Sequence, residues 1–219
     1  MSELTHNIEK YIYFPTAIYM ANRPDLLSVV NQVSEENLSI VRTNERNDIF
    51  PVYMSENYYN DPRLEEFSKF IYNTAWDILK DQGYQMSNKE TFFIEMWTQE
   101  HYKHSMMEQH THKFGSQIIG FYFLETPENC SRLLIHDPRP AKTIIGLDEI
   151  NIEDATDASD VINFKPEPGM MVFTNGWLPH SFGRHASNDP IKFVHFNIGV
   201  RHAMITTSRD SDLPDAEVI

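Results

Sequence analysis

The segment Met107-Glu108-Gln109-His110-Thr111-His112 is followed closely by the apolar run Gln117-Ile118-Ile119-Gly120-Phe121-Tyr122-Phe123-Leu124. The apolar run is typical of a buried β-strand. Because side chains alternate between the two faces of a strand, His110 and His112 are expected to point to the same side. Two such imidazoles can bind one iron, copper or zinc ion, and His180 near a second strand is the candidate third ligand. The alternative is that these histidines are solvated loop residues.

The composition is that of a folded globular protein, with 41% hydrophobic and 12% aromatic residues among 219. This length suits one domain with a sizeable core. The sequence has no apolar run long enough to span a membrane, its first residues are too polar for a signal peptide, and the lone Cys130 fits a reducing compartment. We therefore expect a cytoplasmic protein.

The net charge of −14 argues against binding to nucleic acids and to anionic membrane surfaces, both of which need a basic surface. A small-molecule or peptide substrate is compatible with this charge. The oligomeric state stays open, and a homodimer is one possibility.

Two helices are predicted in the first part of the chain, after a β-prone edge segment at Ile12 to Tyr19. The first begins at Pro24 and continues an apolar stripe to about residue 38. The second begins with Asp61 as cap and Pro62 in the first turn, and it ends near Gly83. Both helices are expected to cover one face of a sheet.

From about residue 90 the apolar period changes from 3.6 to 2, which predicts short strands separated by turns. This pattern is typical of a sandwich or barrel. The acidic stretch between Gly146 and Phe164 is expected to be a solvated insertion. We expect a single domain, with residues 1–89 as helical support, 90–205 as the β core and 206–219 as a polar tail. The predicted strands are 91–98, 116–124, 132–136, 170–174 and 191–200.

Six motifs follow one another along the chain: Gln109-His110-Thr111-His112, Ile119-Gly120-Phe121-Tyr122-Phe123, His136-Asp137-Pro138-Arg139, Pro168-Gly169-Met170, Trp177-Leu178-Pro179-His180 and Phe196-Asn197-Ile198. In this order and spacing they resemble the motifs of the iron(II)- and 2-oxoglutarate-dependent oxygenases, and in particular those of a group found in bacteria and marine phages, whose setting would be the cytoplasm of a bacterium or of a phage-infected host. The resemblance covers most of residues 12 to 200. It implies a mainly β fold with flanking helices, a double-stranded β-helix of the jelly-roll or cupin-like kind. It also implies Fe(II), 2-oxoglutarate and O2, and a dioxygenase that hydroxylates a C–H bond while releasing succinate and CO2.

The resemblance implies that His110, His112 and His180 hold the iron, although the wider superfamily has an aspartate where this chain has His112. Two alternatives remain open. In the first, Glu108 or Asp137 supplies a carboxylate ligand, and one of the paired histidines contacts a metal ligand instead of the metal. Otherwise one histidine is spare and water takes its place.

The resemblance further implies a basic residue that binds the distal carboxylate of 2-oxoglutarate at the inner wall of the barrel. Lys192 occupies the usual region, and Arg139 and Arg184 are alternatives because a guanidinium can grip a carboxylate with two hydrogen bonds. Tyr122 could donate its hydroxyl to the same carboxylate.

Trp97, Gln109 and Asn197 are candidates for the substrate pocket. His195 should face away from Lys192 and Val194, because alternate strand residues share a face. His101 and His104 are expected to be exposed.

Two other functions stay possible. One is a three-histidine, cupin-like metalloenzyme, a dioxygenase or isomerase that does not use 2-oxoglutarate. The other is a barrel that binds a metal or a partner without catalysis.

Overall fold

The computed structural model describes residues 8–112 and 115–203, so the predicted polar tail at 206–219 lies outside the described residues. The chain contains two α-helices, ten strands and three short 3-10 helices within these limits. In chain order the main elements are β1 Tyr19–Asn22, α1 Leu27–Val41, β2 Val52–Met54, α2 Glu65–Asp81, β3 Lys89–His101, β4 Met107–His110, β5 Ile118–Glu125, β6 Leu133–His136, β7 Val161–Phe164, β8 Met170–Asn175, β9 His180–Phe182 and β10 Ile191–His202. The 3-10 helices are Pro24–Leu26, Pro62–Leu64 and Pro140–Ile144.

Both helices begin as the sequence predicts. Pro24 and Pro62 each open a 3-10 turn that leads directly into α1 or α2. The Asp61 side chain accepts a hydrogen bond from the Arg63 backbone N–H at 2.9 Å, which satisfies one free donor of the first turn. Gly83, just after α2, has a φ of +90°, a conformation that glycine adopts without strain.

The strands form two antiparallel sheets. The larger sheet has the strand order β1-β8-β5-β10-β3-β2, and the smaller has β4-β9-β6-β7. Strands far apart in sequence are neighbours, as in β10, which lies between β5 and β3. Two sheets with such crossovers give the mainly β, double-stranded β-helix architecture expected for this chain.

Two apolar clusters divide the core. The first lies between the larger sheet and the helices, and it joins residues such as Val33 and Phe67 to Tyr122 and Val194. The second lies between the sheets and includes Phe182. Along β10 the side chains alternate between these clusters: Val194, Phe196 and Ile198 belong to the first, while Ile191 and Phe193 belong to the second. The larger sheet is therefore buried on both faces.

Several sequence predictions need correction. The edge strand begins at Tyr19 instead of running from Ile12 to Tyr19. The insertion predicted between Gly146 and Phe164 contains β7, whose residues pair with β6. The short strands β2, β4 and β9 are not among the predicted strands. In the part of the chain described, no helix combines the length and apolar character needed to cross a membrane.

Candidate metal centre

Three histidines meet where the small sheet begins. His110 is the last residue of β4, His180 is the first residue of β9, and the two pair directly across these antiparallel strands. His112 follows two residues after His110, and its backbone N–H donates to the Gly176 carbonyl at 2.7 Å. The chain thus brings the three predicted metal ligands together.

The spacing of the ring nitrogens suits a single metal ion. One nitrogen from each of His110, His112 and His180 lies within 4.8 Å of the others. The Nε2 atoms of His112 and His180 are 3.3 Å apart. Two imidazoles on adjacent coordination positions, each about 2.1 Å from a metal, have their nitrogens about 3 Å apart. The three rings could therefore occupy one face of a coordination sphere.

Backbone carbonyls fix the orientation of two of these rings. His110 Nδ1 lies 2.8 Å from the Glu108 carbonyl, and His180 Nδ1 lies 3.0 Å from the Leu178 carbonyl. A carbonyl oxygen can only accept a hydrogen bond, so each Nδ1 carries the proton. Each Nε2 then presents a lone pair, which is the form that binds a metal.

Burial keeps the rings of His112 and His180 neutral. Loss of solvent lowers the pKa of His180 to about 3, and repulsion from His110 and His112 adds to this effect. Burial, followed by repulsion from His110, lowers the pKa of His112 to about 4. Because protons do not compete for these nitrogens near pH 7, the site is prepared for a cation. Neutral imidazoles fit iron(II).

Neither alternative carboxylate joins the three histidines. Among the described residues, the group of potential metal ligands contains His110, His112 and His180 without Glu108 or Asp137. Glu108 is exposed. Asp137 is engaged by Arg139 at 2.7 Å and by Lys142 at 3.2 Å, which hold its pKa well below the usual range. The geometry favours three imidazoles over a carboxylate ligand.

A fourth histidine, His195, lies beside the site. Its ring centroid is 4.8 Å from His112, 4.7 Å from Phe121 and 4.6 Å from Trp97. It is buried, and neither ring nitrogen has a hydrogen-bond partner in the described part of the protein. His195 faces the space between the sheets, opposite to Lys192, as the strand alternation predicted.

Two clefts open beside the histidines. The mouth cleft, of about 390 Å³, is bordered by His110 and His112 together with Ile94, Glu95, Thr111, Ser116 and Asn197. The side cleft, of about 660 Å³, is bordered by His110 together with Ile49, Phe50, Met106, Met107, Glu108 and Gln109.

The substrate-pocket candidates are therefore close to the site. Asn197 and Gln109 line the two clefts, and Trp97 contacts His195. Glu95, which is not among the predicted site residues, lines the same cleft as Asn197 and accepts a hydrogen bond from it at 3.1 Å. Glu95 is two residues from Trp97 on one strand, so the same alternation could have identified it.

Lys192 is not where the sequence predicted it to be. Its amine faces α1, where it forms ion pairs with Glu35 and with Glu125, the latter at 2.7 Å. The side chain belongs to the helix-covered face of the sheet, whereas the histidines lie on the other face. Lys192 therefore cannot bind a ligand at the metal, and this assignment is corrected.

The other predicted anchors of 2-oxoglutarate also lie elsewhere. Tyr122 faces the helices, packs on Phe67 and donates its hydroxyl to the Arg23 carbonyl at 2.7 Å. Arg139 borders a separate cavity of about 250 Å³ that none of the three histidines lines. Arg184 is exposed and contacts His104 at 3.1 Å. His101, expected to be exposed, is fully buried.

Comparisons with known proteins agree with this architecture. Residues 95–197 match the family described as "Putative 2OG-Fe(II) oxygenase". No curated protein sequence matches the chain.

Solved structures share the fold. A prolyl-4-hydroxylase from Pseudomonas putida has a TM-score of 0.55 at 8% identity, over 83% of this chain and 92% of that one. HygX from Streptomyces hygroscopicus, solved with nickel and 2-oxoglutarate, has a TM-score of 0.55 at 10% identity, over 84% and 83%. The viral collagen prolyl hydroxylase vCPH from Paramecium Bursaria Chlorella virus-1 has a TM-score of 0.52 at 9% identity, over 85% and 96%.

The family match spans β4, β5 and β9, and with them all three histidines. The cofactor and co-substrates predicted from the sequence, iron(II), 2-oxoglutarate and O2, are those of this family. Residues 95–197 of the chain thus match the 2OG-Fe(II) oxygenase family, and the chain has the fold of the solved oxygenase structures named above.

Proposed function

We propose that this protein is a hydroxylase that uses iron held by His110, His112 and His180 to oxidise a C–H bond of a small-molecule or peptidyl substrate. The observation that carries the proposal is the set of three imidazole nitrogens, within 4.8 Å of one another and beside two open clefts. Iron bound there would supply the activation of O2 that C–H oxidation requires. Release of succinate and CO2 would accompany the reaction.

The protein contributes orientation and shielding. The carbonyls of Glu108 and Leu178 hold two histidine rings in the tautomer that binds metal. Buried Phe121 packs 5.5 Å from His180, ring centroid to centroid, and shields the inner side of the site from water. The two clefts leave the outer side accessible to a substrate, and Gln109 and Asn197 provide amide groups there. A cytoplasmic location belongs to the same proposal.

The first experiment is anaerobic. Iron(II) is added to the apo-protein, then 2-oxoglutarate, and the visible charge-transfer band of the chelate is recorded; air is then admitted and succinate is measured. We expect a band and slow succinate formation even without the substrate. His180→Ala should lower iron affinity by at least about 100-fold, because changes behind metal ligands alone cost about 10–100-fold. His202→Ala, at an exposed histidine on β10, is the matched control.

The outcomes separate the functional classes. Iron binding without a band or succinate would contradict the proposal and favour the cupin-like metalloenzyme that does not use 2-oxoglutarate. Absence of iron binding would favour a non-catalytic barrel.

His112→Asp tests the third ligand. Undiminished iron occupancy with loss of activity is expected if His112 is a ligand, since aspartate can also bind iron. An unchanged affinity together with unchanged activity would show that His112 is not needed.

A further inference from the structure

The space between the two sheets holds buried polar side chains beside its aromatic ones. His101 on β3 lies there, with its ring centroid 5.9 Å from that of Phe182 and 5.2 Å from that of Phe193. Its Nε2 lies 2.8 Å from the side-chain oxygen of Gln99, which can only accept a hydrogen bond, so His101 donates it. These two buried groups therefore have each other as hydrogen-bond partners.

His195 lies on the same face of the larger sheet without such a partner. It pairs with Trp97 of β3 on one side and with Phe121 of β5 on the other, and it is 2% exposed. Neither of its ring nitrogens hydrogen-bonds to a residue that the structure describes. The next polar side chain on this face, Asn197, donates to Glu95 at 3.1 Å, and its oxygen is also unpartnered, so it does not bond to His195.

The unpartnered imidazole is next to the metal centre. An imidazole always carries at least one N–H, and a buried donor without an acceptor is costly and rare in native proteins. The ring of His112 lies 4.8 Å from that of His195, centroid to centroid, and its Nε2 is turned towards His180 at 3.3 Å. His195 does not belong to the three-histidine group itself. It thus contacts a metal ligand while its own nitrogens remain available.

We propose that the His195 N–H hydrogen-bonds the carboxylate with which a 2-oxo acid coordinates the iron. This inference rests on the proposed function, in which such an acid binds at the three-histidine site. A carboxylate that gives one oxygen to a metal keeps lone pairs that can still accept hydrogen bonds. Such a bond to an ionised acceptor is stronger than one between neutral groups, and burial strengthens it further. His195 is then a residue that binds the co-substrate beside the three that bind the metal.

His195→Phe tests the bond, because it removes the N–H and keeps an aromatic ring between Trp97 and Phe121. Dissociation constants are measured anaerobically for iron(II), then for 2-oxoglutarate and for pyruvate on the iron(II) protein, by calorimetry and by the charge-transfer band. Pyruvate has the same 2-oxo acid head and lacks the distal carboxylate. We expect the dissociation constants of both acids to rise by about tenfold, and that of iron(II) to stay unchanged.

Two amide variants and a control make the test specific. His195→Gln places an N–H donor near the position of Nε2, and His195→Asn places one near that of Nδ1, so one of them should bind both acids more tightly than His195→Phe does. His101→Phe is the matched control, because it makes the same replacement on the same face at a histidine whose partner is Gln99. It should leave both dissociation constants unchanged.

Urea denaturation of the apo-protein gives a readout that needs no ligand. His195→Phe should unfold at a higher urea concentration than the wild type, because it removes two buried polar atoms that have no partner among the described residues. A variant that is more stable and yet binds the acids less tightly cannot owe the weaker binding to a damaged fold.

The outcomes separate this inference from the proposed function. If His195→Phe binds both acids as the wild type does, if His101→Phe weakens them equally, or if neither amide variant improves on His195→Phe, the inference is overturned and the oxygenase proposal stands. A loss confined to 2-oxoglutarate would place His195 at the distal carboxylate and overturn its assignment to the head. If the wild-type iron(II) protein gives neither heat nor a band with either acid, the proposed function fails and the inference fails with it.

Discussion

Replacing Lys192 by methionine should destabilise the protein without weakening its metal site. The Lys192 side chain is only 3% exposed, and its amine contacts Glu35, Glu125 at 2.7 Å and Asn31 at 3.4 Å. Methionine keeps an apolar stem of similar length and removes the charge. The change therefore isolates the ion pairs from the packing of the strand.

The expected loss of stability depends on how far water and other cations can still solvate or pair with Glu35 and Glu125 after Lys192 is removed. Removing one partner of a fully buried ion pair costs about 3–5 kcal/mol. Here the side chains of Glu35 and Glu125 are 41% and 48% exposed, so water can replace part of the lost interaction. Glu35 also keeps Arg42 at 2.7 Å, and Arg42 is the main reason that its pKa is lowered to about 2. We therefore expect a loss of about 2 kcal/mol in the free energy of unfolding.

Urea denaturation of the apo-protein at pH 7, followed by tryptophan fluorescence, measures this loss. Arg201→Met is the matched control, because Arg201 also lies on β10 and pairs with Glu90 at 2.6 Å. Its side chain is 55% exposed, so its loss should cost less than about 1 kcal/mol. The reasoning is refuted if Lys192→Met costs no more than Arg201→Met while the dissociation constant for 2-oxoglutarate rises tenfold.

Two further predictions concern buried positions of the larger sheet. Burial lowers the pKa of His101 to about 3, so in acid the unfolded chain gains a proton that the folded protein does not. The free energy of unfolding therefore decreases as the pH falls from about 6.5 towards 3, by about 2 kcal/mol for one such histidine between pH 7 and pH 5. In urea titrations at these two pH values, His101→Phe should lose about 2 kcal/mol less than the wild type does. An equal loss in both proteins would contradict this role of His101. In Gly120→Ala, the new Cβ would overlap the edge of the Phe196 ring and lie 2.7 Å from the Val172 carbonyl oxygen, so we expect a loss of about 1–3 kcal/mol in the free energy of unfolding. Gly146→Ala, with open space around its Cβ, is the control, and equal urea midpoints would show that the sheet accommodates the methyl group.

The helices and longer strands could be predicted because their signals are local. The Pro24 and Pro62 turns, the Asp61 cap and the change of apolar period all act within a few residues. The paired histidines could be found in the same way. The partnership with His180 needed the spacing of a resembling family, because its contact with His110 joins strands far apart in sequence.

The side-chain directions on β10 could not be read from its composition. Residues Ile191 to Gly199 are all buried, so the strand shows no contrast between a polar and an apolar face. A count of residues from His180 places Lys192 in the right region, but one position decides which face it occupies. The same problem affects Tyr122 on β5, where seven of the eight residues are buried. Strands of three or four residues, such as β9, carry too little pattern to be recognised.

The pairing of the backbones of β10 and β5 places the Lys192 side chain on the face of the larger sheet that the helices cover. Lys192 pairs with Glu125 while the next residue, Phe193, pairs with Phe123, so Leu124 is an extra residue in β5. A β-bulge of this kind turns the following side chain, and here it brings Glu125 to the same face as Lys192. A rotamer change could not carry the amine through the sheet to the histidines. That would need a shift of one residue in β10, which would also move the buried Val194 from one core to the other. The bulge and the ion pair therefore stabilise the same register, and that register leaves Ile191 and Phe193 to form the wall behind the metal centre.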